Sequence, residues 1–157
     1  MLCAALCACT LMSSFELCTE RLKSARAVAE LAEAVERITA LLRFESADVF
    51  EICRRAFESF EAVDLTAFSK IESGDFGAQW EKACEVLEAD AEAKRLFARV
   101  GRVLGTCDAE SQEAVLGGIS KELYARSRAM KDSAEKSKRL YLTFGAAVGL
   151  GISVIVL

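Results

Sequence analysis

The chain has 157 residues, with 20 Lys and Arg against 24 Asp and Glu, a net charge of −4, and neither histidine nor proline. The near balance of charge argues against a general nucleic-acid surface. Without histidine the usual general base and the commonest metal ligand are missing, and the sequence has no phosphate-binding loop and no dinucleotide glycine motif. We therefore expect a protein that is not an enzyme, takes no cofactor or metal, and has no small-molecule substrate or nucleic-acid partner.

Residues 1–18 predict a short N-terminal transmembrane helix, because no charged side chain precedes Glu16. A secretory signal peptide is the main alternative. No Lys or Arg precedes the apolar stretch, however, and no convincing small-residue cleavage site follows it. We therefore favour a retained helix.

Residues 19–125 have the length of one domain, and their composition predicts helices throughout. From Glu20 to Arg43 apolar residues recur at spacings of three and four, which predicts a helix of about six turns. The apolar stripe of this helix consists of Val28, Leu31, Val35, Ile38 and Leu42. A second helix is predicted from about Ala47 to Val63.

Asp64 is predicted to cap a short helix, which the stretch from Ser73 to Gly77 ends. Beyond this loop apolar residues again recur at helical spacing, and Asp90 is predicted to cap the helix that follows. The side chains expected to face the core here are Phe76, Trp80, Ala83, Cys84, Leu87, Leu96, Val100 and Val103. We therefore predict an all-α fold, a small helical bundle.

The seven cysteines predict neither a zinc site nor a disulfide framework. Four lie in or beside the N-terminal apolar segment, and the other three are scattered singly. In a reducing cytoplasm they are most simply small apolar side chains. Cys107 lies near a predicted helix start, where the pKa of its thiol could fall, but no base accompanies it.

Two neighbouring predicted helices carry charged edges of opposite sign. The basic and acidic edges consist of Arg95, Arg99, Arg102 and of Glu81, Glu85, Glu88, respectively. One interpretation is two solvated faces that pair with each other at well under ~1 kcal/mol per exposed pair. The other is that the basic edge is a partner surface.

The most specific local pattern is Gly101-x-x-Leu104-Gly105-x-x-Asp108-x-x-x-Gln112. Gly105 suits the left-handed conformation that ends a helix, and Asp108 suits the start of the next one. The pattern has a structural interpretation as a turn and requires no catalysis.

The C-terminal part of the chain predicts a second membrane anchor. Residues 126–139 are basic with almost no apolar stripe, so we expect them to leave the core as a juxtamembrane helix or a flexible tether, with cations that favour anionic headgroups. Residues 140–157 carry no charge and are long enough for a transmembrane helix. Because every Lys and Arg lies between the two apolar segments, the central domain is predicted to be cytoplasmic.

Small residues in the second anchor predict close helix packing within the membrane. Gly145 and Gly149 form a GxxxG pair, and Gly151 lies one small-residue pair further on. Packing of the two spans against each other is the first interpretation. Contact within a homo-oligomer or with another protein is the alternative.

Taken together, these features resemble the stage III sporulation protein AB family of endospore-forming bacteria. The family has an L-G-x-x-D-x-x-x-Q pattern before a long helix, a lysine-rich approach to a glycine-containing terminal span, and a tryptophan near mid-chain. The matching residues here are Leu104, Gly105, Asp108, Gln112, Lys136, Lys138, Phe144, Gly145, Gly149 and Trp80. The chain departs from the family in the turn from Phe44 to Asp48, which has no proline.

The resemblance implies a non-enzymatic component of the mother-cell machinery, located in the membrane around the forespore. It implies a soluble domain similar to the cytoplasmic domain of type II secretion platform proteins, part of a secretion-like channel. The implied partners are other stage III sporulation proteins, above all the secretion-type ATPase AA, besides membrane lipid. The alternative is a membrane-tethered helical adaptor or signalling bundle unrelated to sporulation, which would not explain the LGxxDxxxQ pattern.

Overall fold

The computed structural model describes the backbone of residues 2–44, 48–57, 60–104 and 109–156 and the side chains of residues 19–44, 48–57, 60–104 and 110–140. Every regular element within these ranges is a helix, which confirms the predicted all-α fold. The elements are α1 (Leu2–Phe44), α2 (Val49–Ala56), α3 (Thr66–Ser69), α4 (Phe76–Val86), α5 (Ala91–Val103) and α6 (Ala109–Val156).

The two long helices, α1 and α6, form an antiparallel hairpin. Near the C-terminal end of α1, Arg43 lies 3.5 Å from Glu113, which is in the second turn of α6. Further along, Ser127 of α6 donates a 2.7 Å hydrogen bond to the carbonyl of Ala25. Because the partner on α1 moves toward its N-terminus as α6 proceeds, both chain ends lead to the same end of the hairpin.

The core lies between this hairpin and the four shorter helices. Four members of the stripe predicted on α1, Val28, Leu31, Val35 and Ile38, are fully buried, and Leu42 packs partly buried against them. The predicted core side chains of α4 and α5 also face inward, Phe76 and Val103 only in part.

The predicted second helix is shorter than expected, since α2 ends at Ala56 instead of Val63. The backbone N–H groups of Ala62 and Val63 donate to the carboxylate of Glu30 on α1, at 2.8 and 3.1 Å. These donors are therefore satisfied by a side chain rather than by the carbonyls of a continuing helix.

Of the two predicted caps, that at Asp90 is present, whereas that at Asp64 is not. The N-cap of α3 is Leu65, which makes no side-chain cap hydrogen bond, and Asp64 accepts from the backbone N–H of Thr66 at 2.9 Å. The predicted loop is shorter than expected, because Phe76 and Gly77 already belong to α4. In the loop before α4, Gly74 has a φ of +94°, a conformation that favours glycine. Asp90 accepts from the N–H of Ala93 and caps α5, as predicted.

Residues 126–139 continue α6 without a break, which agrees with the helix of the two predicted alternatives and not with the flexible tether. Contrary to the prediction that they leave the core, Ala134 is buried and Met130 packs against the core. The sequence shows no apolar stripe here because the contact with α1 uses the small side chains of Ser127 and Ala134 instead of large ones. Close helix approach needs small residues, which hydropathy does not reveal.

The two predicted membrane anchors, residues 1–18 and 140–157, coincide with the outer ends of α1 and α6. Their side chains, Leu140 excepted, lie outside the described residues. Within the part of the chain that the structure describes, no helix has the length and apolar character required to cross a membrane. The anchors therefore stay predictions.

Candidate interaction surfaces

The described residues of the family motif lie inside the bundle. Gly101 is buried on α5 against Trp80 of α4: a Cβ atom at this glycine would lie 2.3 Å from Cγ and Cδ1 of the indole ring. Leu104, which follows α5, and Gln112, in the first turns of α6, are also buried. Gly105 and Asp108 lie outside the described residues. The motif thus packs α5 against α4 and leads into α6.

Trp80 is the centre of an aromatic cluster. Its ring centroid lies 4.8 Å from that of Phe68 and 5.2 Å from that of Phe97, and the rings of Phe57 and Phe76 lie within 6 Å as well. The indole N–H donates a 3.1 Å hydrogen bond to the carbonyl of Phe97. The predicted mid-chain tryptophan is therefore a core residue whose position requires glycine at 101.

The predicted basic edge is on the surface of α5, and each of its arginines has an acidic neighbour. Arg95 contacts Glu92 at 2.6 Å within α5, and Arg99 lies 3.6 Å from Glu122 of α6. Arg102 contacts Glu81 of the predicted acidic edge at 3.1 Å. All three arginine side chains are about half exposed or more, so each pair contributes no more than about 1 kcal/mol to stability.

Polar contacts hold the hairpin together at positions that periodicity did not single out. Glu36 of α1 accepts hydrogen bonds from the hydroxyls of Ser120 and Tyr124 of α6, both at 3.1 Å. Arg126 of α6 binds both carboxylate oxygens of Asp90 at 3.1 Å. This arginine holds the pKa of Asp90 below its ordinary value. One side chain therefore caps α5 and links it to α6.

Charge is distributed unevenly along the hairpin. Residues 19–26 and 126–139, which we call the basic collar, carry nine Lys and Arg against three Asp and Glu. Residues 27–125, the body, carry eleven against twenty. Because α1 and α6 are antiparallel, the two parts of the collar lie side by side at the end of the body from which both chain termini extend.

A cleft of about 450 Å³ opens within the collar, between α1 and α6. Its walls include the small side chains of Ala25 and Ala134, and the cations of Arg26, Lys131 and Lys138 line it. The sequence predicts a juxtamembrane segment for the α6 cations but does not pair them with Arg26, because local patterns do not contain the register of the hairpin.

Among the described residues, no group of three His, Cys, Asp or Glu side chains could hold a metal ion. Burial raises the pKa of the Cys53 thiol to about 12 and that of the Cys84 thiol to about 11, opposite to the shift that activates a nucleophile. Cys107 lies outside the described residues. Gly145, Gly149 and Gly151, the candidate membrane-packing residues, belong to the part of α6 for which only the backbone is described.

Fold and surfaces together define the class of architecture of the described part: an all-α bundle closed by a hairpin of its first and last helices, with ion pairs on its surface. The model of the stage III sporulation protein AB family matches residues 1–157, so the chain belongs to this family. No curated protein and no solved structure matches the chain.

Family membership gives the protein a role in stage III of sporulation, in association with other stage III sporulation proteins. It is consistent with a location in the mother cell or the forespore. The alternative of an adaptor unrelated to sporulation is therefore wrong.

Proposed function

We propose that the protein is a non-enzymatic, membrane-anchored platform of a secretion-like channel in sporulation, and that its bundle docks the secretion-type ATPase AA. The observation that carries the proposal is the antiparallel hairpin of α1 and α6. It leads both uncharged terminal segments, residues 1–18 and 140–157, to one end of the bundle, away from the end at which Arg43 of α1 approaches Glu113 of α6.

The charge distribution supports membrane anchoring at that end. The basic collar adjoins the uncharged segments, and cations on the cytoplasmic side of a membrane span agree with the positive-inside tendency. The bundle would then be cytoplasmic, and the two spans would pack through Gly145, Gly149 and Gly151, either with each other or in a homo-oligomer. The membrane would be the mother-cell membrane around the forespore.

The basic edge of α5 is the proposed ATPase surface. The side chains of Arg95, Arg99 and Arg102 are exposed, and their intramolecular ion pairs are weak enough to be exchanged for a partner's carboxylates. The family resemblance of the sequence implies a domain similar to type II secretion platform domains, and this similarity would give the bundle the same role.

Affinity purification from the sporulating host tests the docking role. The tagged full chain is extracted in mild detergent during engulfment, and co-purifying proteins are identified by mass spectrometry. We expect the ATPase with the wild type and its loss with Arg95→Glu/Arg99→Glu. If no stage III channel protein is recovered even after crosslinking, the platform role is refuted.

The control is Arg54→Glu/Arg43→Glu, which changes the net charge equally and disrupts ion pairs of the same kinds. Arg54 pairs with Glu51 three residues away, as Arg95 does with Glu92, and Arg43 reaches α6 at 3.5 Å, as Arg99 does at 3.6 Å. Equal loss of the ATPase in both variants would show a general charge effect and would contradict docking at α5.

A further inference from the structure

The cleft between α1 and α6 has features that its role in the hairpin does not explain. Arg26, Lys131 and Lys138 line it, whereas its only acidic lining residue is Glu135. None of the three cations forms an ion pair within the described part of the chain, although all three arginines of the basic edge on α5 do. The positive charge of the cleft is therefore available to a ligand.

The shape of the cleft admits a small anionic group. Ala25 and Ala134 are buried, and both line the space of about 450 Å³ between the two helices. Arg26 and Lys131 come from different helices and face the same space. This arrangement suits a phosphate, which guanidinium and ammonium groups bind by charge-assisted hydrogen bonds.

We propose that this cleft binds the phosphate headgroup of an anionic phospholipid. The inference rests on the proposed membrane anchoring, which it deepens by naming a lipid class and a site. Lys138 precedes Leu140, the first residue of the uncharged C-terminal segment, by two residues, or ~3 Å of helix. Side chains on a helix tilt toward its N-terminus, so Arg26 on α1 leans toward the end from which the chain termini extend, whereas Lys131 and Lys138 on the antiparallel α6 lean toward the body.

Charge outside the cleft favours a lipid over an acidic protein segment as the occupant. The body carries an excess of acidic residues and is repelled by an anionic leaflet, so the collar is the surface that such a leaflet attracts. A headgroup in the cleft would lie where the two helices leave the body, at the level of the interface.

Native mass spectrometry of the full chain in mild detergent tests the site, with phosphatidylglycerol and phosphatidylcholine of identical acyl chains as probes. We expect the wild type to retain phosphatidylglycerol about tenfold better. Arg26→Gln/Lys131→Gln/Lys138→Gln should abolish this preference. The control Lys70→Gln/Lys82→Gln/Lys121→Gln removes the same charge from exposed positions of the body and should keep it.

Four results would refute the proposed lipid site: no preference for phosphatidylglycerol in the wild type, an unchanged preference in the cleft variant, equal loss of the preference in the control, or displacement of the lipid by millimolar inorganic phosphate. The last would identify free phosphate as the ligand.

Membrane anchoring is measured separately, by flotation with neutral phosphatidylcholine vesicles after an alkaline wash. A chain that floats without lipid preference refutes only the cleft, whereas a chain that is washed off refutes the anchoring.

Discussion

Replacing Gly101 by alanine should destabilise the protein, although alanine is the better helix former. In an exposed helix interior the exchange stabilises by about 1 kcal/mol. At Gly101 the new Cβ would lie 2.3 Å from Cγ and Cδ1 of Trp80, whereas carbon atoms in contact are ~3.5–4.0 Å apart. Helix α5 or the ring must therefore move by roughly 1 Å.

The indole ring of Trp80 cannot move without losing packing contacts or its hydrogen bond. Trp80 is fully buried among four phenylalanines, and its indole N–H donates to the carbonyl of Phe97. Overpacking costs ~1–3 kcal/mol, and a buried donor that loses its acceptor costs a similar amount. After subtraction of the gain in helix propensity, we expect a net loss of about 2 kcal/mol in the free energy of unfolding.

The assay is urea unfolding of the full chain in mild detergent, followed by the fluorescence of Trp80, the single tryptophan. The control is Gly117→Ala, because a Cβ there meets nothing within 4 Å; this variant should gain about 0.5–1 kcal/mol. In a Trp80→Leu background, measured by circular dichroism, Gly101→Ala should cost at least about 1 kcal/mol less. A Gly101→Ala protein as stable as Gly117→Ala would refute the reasoning.

Three further predictions concern polar and thiol groups. Arg126 lowers the pKa of Asp90, so the Asp90 carboxylate stabilises the fold fully above the unfolded-state pKa of about 3.9. This contribution is lost as the pH falls through the lower folded-state pKa. When the free energy of unfolding is measured against pH, Asp90→Asn should therefore lose less stability in acid than the wild type. Glu30→Ala should cost about 1–2 kcal/mol in urea unfolding, since two backbone donors lose their acceptor, whereas an unchanged midpoint would contradict that role. Cys53 and Cys84, buried with raised thiol pKa values, should react with iodoacetamide at pH 8 far more slowly in native than in urea-unfolded protein, as measured by peptide mapping; equal rates would contradict their burial.

Two features that depend only on neighbouring residues in the chain were predicted correctly from the sequence. The stripe on α1 was predicted from spacing alone because one helix face must be apolar to be buried. The cap at Asp90 was predicted because an N-cap needs only a short polar side chain before a helix. By contrast, α2 was predicted too long: the backbone N–H groups of Ala62 and Val63, which the prediction placed in this helix, donate to Glu30, 32 and 33 residues earlier in the chain.

Contacts between distant residues could not be predicted in the same way. Gly101 of the family motif was interpreted as part of a turn, yet a Cβ atom at this position would meet Trp80, 21 residues earlier in the chain. Residues 126–139 were expected to leave the core because small side chains produce no apolar stripe. The basic collar follows from the register of two helices that are separated by most of the chain, and no local pattern contains that register.

The pairing of the surface arginines constrains any partner of the bundle. Arg95, Arg99 and Arg102 already contact Glu92, Glu122 and Glu81, so a partner must exchange these carboxylates for its own. Exchange of one exposed ion pair for another changes the free energy little, and the net gain must come from geometry or from apolar contact. Salt should therefore slow docking at α5 more than it weakens the final complex. The cations of the hairpin cleft differ in this respect, since they form no ion pair within the described part of the chain that an anion would have to replace.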